Sequence, residues 1–402
     1  MTRENFERFR KTPLLLAMMI IATGQVGVSI YLPSLPLISA DLSVSQAQVQ
    51  MVVTLFLLGF GGSQLFYGPL SDSIGRRPVF LLGQGVYLVG TLMCVFFADQ
   101  LSSLELGRLL QGLGAGSASV LGRSVLRDSY DGSHLTKALS YMSITASITP
   151  IIAPVLGGWL AYQLTWHSVF IFVLLYVGFI GTLGFFILPE TLPYTKQRFR
   201  PKAVIKGYWS LVRNKQVISS ASYNWISYTS AMVTLSVLPF LMQVQLGMTA
   251  ADYGSLMFIP SMGLLAGSLT VNILTRFYPT FSILRISIAM IFLAGITLIA
   301  GHFSVFQLVC SFTILSVAQG MSFPLATTLL LSPHKKQAGA VAALSGSIQM
   351  GCAALLGGYL VEHWIHQQIA LGYFYLAVGV LMSSILFYQS THQSVVVPAK
   401  AS

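Results

Sequence analysis

The chain has 402 residues, of which 54% are hydrophobic and only 8% charged, with an excess of 11 positive charges. So little charge cannot cover the surface of a soluble fold, so most of the chain must face lipid. The basic excess would suggest a nucleic-acid partner in a soluble protein, but its distribution along the chain argues for no nucleic acid.

A spanning helix needs roughly 20 apolar residues, and runs of that length recur about twelve times, separated by short turns. The ten-residue alternation of a membrane β-barrel is absent. The sequence therefore predicts an all-α membrane protein with spans near 13–32, 47–67, 78–97, 103–126, 138–162, 166–188, 217–240, 251–274, 281–301, 303–327, 338–362 and 370–390. The first run follows the basic stretch Arg3 to Lys11 and is too long for a signal-peptide core, so it reads as an uncleaved helix. The only long hydrophilic connection, 189–216, reads as a cytoplasmic linker between two six-helix bundles, 1–188 and 217–402.

Of the 22 basic residues, 21 fall in the tails, the alternate connections or the helix ends beside them. The positive-inside rule then puts both termini in the cytoplasm of a multi-pass protein. Arg108 is the exception. Cys94, Cys310 and Cys352 lie within apolar runs and imply neither a disulfide framework nor a metal site. His363 and His366, with Glu362, sit at an outer helix end where solvated polar residues are expected, so no metal is assigned to them.

The two halves echo each other at an offset of 200 to 208 residues. Gln111-Gly112 in the fourth span matches Gln319-Gly320 in the tenth. Val155-Leu156-Gly157-Gly158-Trp159-Leu160 matches Leu355-Leu356-Gly357-Gly358-Tyr359-Leu360, and Leu32-Pro33 matches Leu238-Pro239. Repeats of this kind, with a substrate site between pseudo-symmetric halves, are a transporter design that works by alternating access.

Two places concentrate charge. The first is Gly68-Pro69-Leu70-Ser71-Asp72-Ser73-Ile74-Gly75-Arg76-Arg77, which reads as a polar turn between the second and third spans. Asp72 at a helix end has Arg76 or the positive N-terminus of a neighbouring helix as partners. A turn that only set topology would need Arg76 and Arg77, but neither Asp72 nor the glycines. The corresponding stretch of the second half, Leu274 to Pro279, has neither acid nor glycine. The second place is Arg108, about 22 Å from Arg123 at 1.5 Å per residue and hence in the outer half of its span. A lone arginine in a span costs about 2.5–3.5 kcal/mol on insertion scales. Glu105, three residues earlier, lies on the same helical face. The pair reads either as a snorkelling pair near the outer surface or as a proton-coupling element in which Arg108 favours ionised Glu105 until protonation separates them. Of the eleven acids, only Glu105 lies well inside a predicted span, with Asp41 a weaker alternative just outside the first.

The segment Gly68 to Pro78 resembles the loop motif of the major facilitator superfamily, and Leu104 to Ala115 is similar to that family's fourth-span motif with its central arginine. Ala153-Pro154-Val155-Leu156-Gly157-Gly158 resembles the end of the fifth-span antiporter motif, with Ala153 where the family favours glycine. Ser29 to Pro36 and Gln64 to Pro69 narrow the resemblance to twelve-span drug/proton antiporters around EmrD and the bicyclomycin-resistance exporters. The resemblance covers nearly the full length and is strongest before Pro189.

It implies the major facilitator fold in a bacterial inner membrane, and export of lipophilic or cationic drugs coupled to protons. It implies no cofactor beyond the proton gradient and a likeness to transporters rather than enzymes. The expected gate is Gly68, Asp72, Gly75, Arg76, Arg77 and Asp128, with contacts to the eleventh span. Expected proton coupling rests on Glu105 and Arg108, and helix packing on Pro154, Gly157 and Gly158. Many relatives carry an acid in the first span where this chain has Ser29, so coupling through that acid does not carry over. A drug cavity is apolar and aromatic with few polar groups, which selects Gln25, Ser29, Phe56, Phe60, Gln111, Asn224, Tyr228, Gln319 and Gln349. For each aromatic, packing filler is the competing reading. The expected partners are small substrates, protons and the lipid bilayer, for a monomer. Export of one metabolite, such as an amino acid or sugar, is the alternative, and it calls for more fixed mid-membrane charge than this chain has. No P-loop, zinc-protease or nucleophile-elbow motif is present.

Overall fold

The computed structural model describes residues 11–192 and 199–393, with the backbone alone at Lys335, Lys336, His392 and Gln393. The basic residues Arg3, Arg8, Arg10, Lys196, Arg198 and Lys400 lie outside the described residues, and with them the tails on which the placement of both termini rests. Among the described residues the protein is all-helical, with no strand.

Among the described residues, eleven helices are long and apolar enough to cross a membrane. They are span 1 (Lys11–Asp41), span 2 (Gln46–Ile74), span 3 (Arg76–Phe96), span 5 (Gly132–Gln163) and span 6 (Trp166–Ile187) in the first half. In the second half they are span 7 (Lys215–Gln245), span 8 (Ala250–Leu274), span 9 (Thr280–Ala300), span 10 (Val305–His334), span 11 (Ala338–His363) and span 12 (Gln368–Thr391). The expected fourth span is the 29-residue helix Leu101–Ser129, about 43 Å long at 1.5 Å per residue. Glu105, Arg108 and three further arginines or acids in its last two turns lower its hydropathy, but its length suffices to cross. The connection between the halves is not all irregular, since it contains a 12-residue helix, Pro201–Val212.

The chain divides into two compact units. The first runs to Val204 and also takes in Thr249–Ser255, the start of span 8; the second comprises Ile205–Met248 and the chain from Leu256 onward.

Within each unit the same contact builds the centre. A Cβ on Gly112 of span 4 would strike the carbonyl of Phe56 in span 2, and one on Gly320 of span 10 would strike the carbonyl of Leu264 in span 8. Reciprocally, Gly59 faces the Leu109 carbonyl and Gly267 the Val317 carbonyl. All four pairings are related by the same offset, 208 residues, so the repeat read in the sequence is a repeat of helix contacts. Water gives helices no hydrophobic push toward one another in lipid, so association depends on such close backbone approach.

The repeated Leu-Pro steps also act alike. After Ser29, span 1 tightens into a short 3₁₀ turn over Leu32–Ser34 before its last helical turns. Span 7 passes Pro239 and widens into a π turn over Phe240–Gln245. Each proline lacks an N–H donor, and local 3₁₀ or π geometry re-satisfies the neighbouring backbone. Long apolar side chains on spans 3 and 6, among them Leu82, Val89, Leu175 and Phe179, are exposed, as lipid-facing surfaces require.

Candidate functional site

The polar turn expected at 68–77 is almost entirely helical. Span 2 continues through Pro69 to Ile74, Gly75 alone makes the turn, and span 3 starts at Arg76. Hydropathy falls where a helix leaves the lipid, but its hydrogen bonds continue, so the charged stretch is the helix end itself. Gly75 has φ +118°, a conformation open to glycine and strained for other residues. Its missing Cβ also makes room for the carboxylate of Glu190.

Three acids converge on this corner. The Arg76 guanidinium donates to Asp72 Oδ1 at 2.5 Å and, through Nε, to Asp128 Oδ2 at 2.9 Å. A further donor reaches Ser71 Oγ at 2.6 Å. The third acid, Glu190, was not anticipated. Its Oε1 accepts from the Arg76 backbone N–H at 2.8 Å and its Oε2 from that of Arg77 at 3.4 Å, capping the positive N-terminus of span 3. The available signal was an acid directly after the end of span 6, on the basic side and 114 residues from Arg76. Arg77 sends a donor to the Phe185 carbonyl at 2.6 Å and lies over that residue's ring. Gly68 lies on span 2 with its open side toward Val120.

Arg108 occupies a closed cage, 2% exposed. Its donors reach the Gln111 side-chain oxygen at 2.6 Å, the Gly27 carbonyl at 3.0 Å and the Val52 carbonyl at 3.5 Å. The guanidinium carbon lies 3.8 Å from the Tyr31 ring centre and 4.1 Å from that of Phe56. Backbone dipoles and two π faces from spans 1 and 2 thus surround the cation. The expected pairing with Glu105 is not what the structure shows. Among the described residues, Glu105 makes no ion pair, and it lies near the start of span 4, half-buried, rather than well inside it. At the equivalent position of the second unit stands Ser316, so the cage has no counterpart there.

The cavity residues separate into two groups. Phe56 and Phe60 are 0% and 2% exposed, stacked edge to face at 5.9 Å, and serve as cage wall and packing filler rather than cavity lining. Gln111 is likewise closed in, donating to Thr91 at 2.9 Å. Ser29 is buried and turned back onto the Gln25 carbonyl at 2.8 Å. Gln319 donates to the Ser227 carbonyl at 2.9 Å and to Ser230 at 3.0 Å inside the second unit. Asn224 donates to Thr327 at 3.1 Å while its buried side-chain oxygen has no partner. Gln25, Tyr228 and Gln349 keep part of their surface accessible. Asp41 is exposed and accepts from the Trp166 indole at 2.9 Å.

The antiporter-motif residues pack helices. A Cβ on Gly157 would meet the Ile30 carbonyl at the bend of span 1, and one on Gly158 would meet the Ala250 carbonyl. Pro154 offers its carbonyl to Gly254, whose Cβ would come within 2.5 Å of it. These contacts are what bring Thr249–Ser255 into the first unit.

The sequence profile of the Major Facilitator Superfamily matches residues 14–353. The chain belongs to the major facilitator superfamily. It is 28% identical to Multidrug resistance protein D of Escherichia coli (strain K12) over 344 residues, 84% of this chain and 85% of that one. It is 29% identical to Multidrug resistance protein MdtL of Salmonella paratyphi B over 359 residues, 86% and 88% of the two chains. Among solved structures, a variant of the nucleoside transporter NupG superposes with a TM-score of 0.74 at 12% identity, covering 95% of this chain and 98% of that one. A bacterial homologue of the human lysosomal transporter Spinster gives 0.74 at 14% identity, covering 98% and 100%. The all-α, twelve-span major facilitator fold expected from the sequence is therefore the fold of this chain, a multi-pass membrane transporter homologous to multidrug resistance proteins.

Proposed function

We propose that this chain is a proton-coupled secondary transporter that exports lipophilic compounds, cationic ones among them, from the cytoplasm of a bacterium across its inner membrane. The observation that carries the reading is its similarity, along about 85% of both chains, to two proteins named for multidrug resistance. The scarcity of fixed charge within the spans supports a lipophilic substrate, because a specific polar metabolite would need more such anchors. Alternating access would proceed by rocking one six-helix half on the other, with both termini cytoplasmic and the chain acting as a monomer.

In this reading the corner around Arg76 is the cytoplasmic gate. Asp72 and Asp128 neutralise Arg76 and fix the end of span 2 against spans 3 and 4, and Glu190 ties in the end of span 6. Gly75 keeps the turn tight enough for that cap. Glu105 carries the proton, being the acid nearest the Arg108 cage along span 4. Gln25 in the first half, and Tyr228 and Gln349 in the second, keep accessible surface and are this reading's substrate-contacting residues within their own halves.

Efflux of several chemically unrelated dyes and antibiotics, from cells lacking their own pumps, tests the proposal. Loss of many unrelated compounds that stops on adding an uncoupler is the expected result. Export of a single polar metabolite, or efflux indifferent to the uncoupler, would contradict it.

A further inference from the structure

Exposed apolar side chains are expected on the spans, but one exposed pair stands outside them. Ile205 and Trp209, 64% and 57% exposed, lie one turn apart on the linker helix Pro201–Val212. At 12 residues that helix is too short to cross a bilayer, so a place within a span does not explain them. Its sides are sorted. Val204, Tyr208 and Leu211 recur at helical spacing along one edge, Leu211 buried and the other two half-buried. Ile205 and Trp209 form the neighbouring strip. Lys202 and Lys206, both exposed, follow on the far side of that strip at 3.6 residues per turn. Arg213, just past the helix, holds its guanidinium carbon 4.9 Å from the Trp209 ring centre, so cations border the indole in space as well as in sequence.

No acid on this stretch answers these charges. From Thr191 to Ala251 the sequence carries seven basic residues and neither Asp nor Glu. Among the described residues, Lys202, Lys206 and Arg213 form no ion pair. The chain itself holds the helix at the membrane boundary. Only Arg213 and Asn214 separate it from span 7, and Asn214 caps that span by accepting from the Gln216 and Val217 N–H groups at 3.0 and 3.3 Å. A fitting partner presents negative charge and an apolar layer side by side, within reach of a span's end. The surface of an anionic bilayer offers both, and a tryptophan flanked by basic residues is the pattern of a helix lying in that surface.

We propose that the helix Pro201–Val212 lies in the headgroup layer on the basic side of the membrane and gathers anionic phospholipid there. Ile205 and Trp209 enter the layer above the acyl chains, while Lys202, Lys206 and Arg213 meet the lipid phosphates. A zwitterionic lipid presents the same apolar layer without net charge, so the cations select between the two. The proposal requires only that spans 6 and 7 cross a membrane, and it stands apart from the substrate and proton assignments.

Tryptophan fluorescence of the full chain in lipid vesicles tests it, the Trp209 share being the difference between a protein and its Trp209→Phe variant. The quenchers are phosphatidylglycerol or phosphatidylcholine with a brominated acyl chain, and acrylamide in the water. Brominated lipid should quench Trp209 and acrylamide should reach it little, with phosphatidylglycerol half-effective at the lower mole fraction. Lys206→Gln should raise that mole fraction about fivefold, the scale of one basic residue at an anionic surface, and leave the phosphatidylcholine value unchanged. Ile205→Gln should open Trp209 to acrylamide. Both replaced side chains are exposed, so neither change disturbs a packed core. Equal half-effective fractions for the two lipids, a phosphatidylglycerol value unmoved by Lys206→Gln, or Trp209 open to acrylamide in the unmodified protein would each overturn the proposal. Shielding of Trp209 from lipid and acrylamide alike would put protein, such as a second copy of the chain, on this face and overturn it too.

Discussion

Arg76 Nε lies 2.9 Å from Asp128 Oδ2, and that pair is enclosed, the two side chains being 10% and 11% exposed. The pair with Asp72 is shorter, but the Asp72 side chain is 49% exposed. Exposure, not distance, separates the two acids. Asp128→Asn leaves a largely enclosed guanidinium short of charge and is expected to destabilise by about 3–5 kcal/mol. Asp72→Asn should cost about 0–1 kcal/mol, because solvent already screens that arm. Apparent melting temperatures in mild detergent, at low and high salt, check this. Only the Asp72 contribution should shrink as salt rises.

Gly75 joins two helices with no intervening residue, at a φ that other side chains rarely adopt. Gly75→Ala is expected to cost about 1–3 kcal/mol in backbone strain, and it also pushes on the Glu190 carboxylate. Glu190→Gln keeps the shape and loses the charge at the span 3 N-terminus, for about 0.3–1 kcal/mol. Limited proteolysis near residue 75 should accelerate in the first variant and change little in the second.

The cage around Arg108 depends on a flat cation between two rings. Lysine carries the same charge but cannot reach two carbonyls and an amide while presenting a planar face. Arg108→Lys should therefore lower stability by about 2 kcal/mol or more. Phe56→Ala, which removes one wall and opens a cavity, should cost about 3–5 kcal/mol. Thermal unfolding of each purified variant measures the difference. If Phe56 instead lined an open cavity, its truncation would leave stability nearly unchanged.

The spans were legible because lipid demands long apolar runs, and the fold because three motifs recur in order. Span 4 was legible as one of the recurring apolar runs, even though it carries Glu105, Arg108, Arg123 and Arg127. What composition could not show was how far each helix continues beyond the lipid. This is why Gly68 to Ile74 read as a turn and is helix. Nor does periodicity reveal partners distant in sequence. Glu190 completes the Arg76 corner from 114 residues away, and Glu105, a neighbour of Arg108 in sequence, makes no ion pair with it. Phe56 and Phe60 looked like drug-contacting aromatics because type and spacing are the same for a cavity wall and a closed core; burial distinguishes them.

The central claim is that proton movement drives substrate movement. Purified protein in vesicles with an imposed pH gradient and no other energy source measures it directly, with a lipophilic dye as substrate. Dye is expected to accumulate in vesicles with an acidic interior, dye addition to speed collapse of the gradient, and Glu105→Gln to lose both effects while still binding dye. Dye distribution indifferent to the gradient in the unmodified protein would contradict the account, and full coupling in Glu105→Gln would contradict the assignment of the proton to that residue.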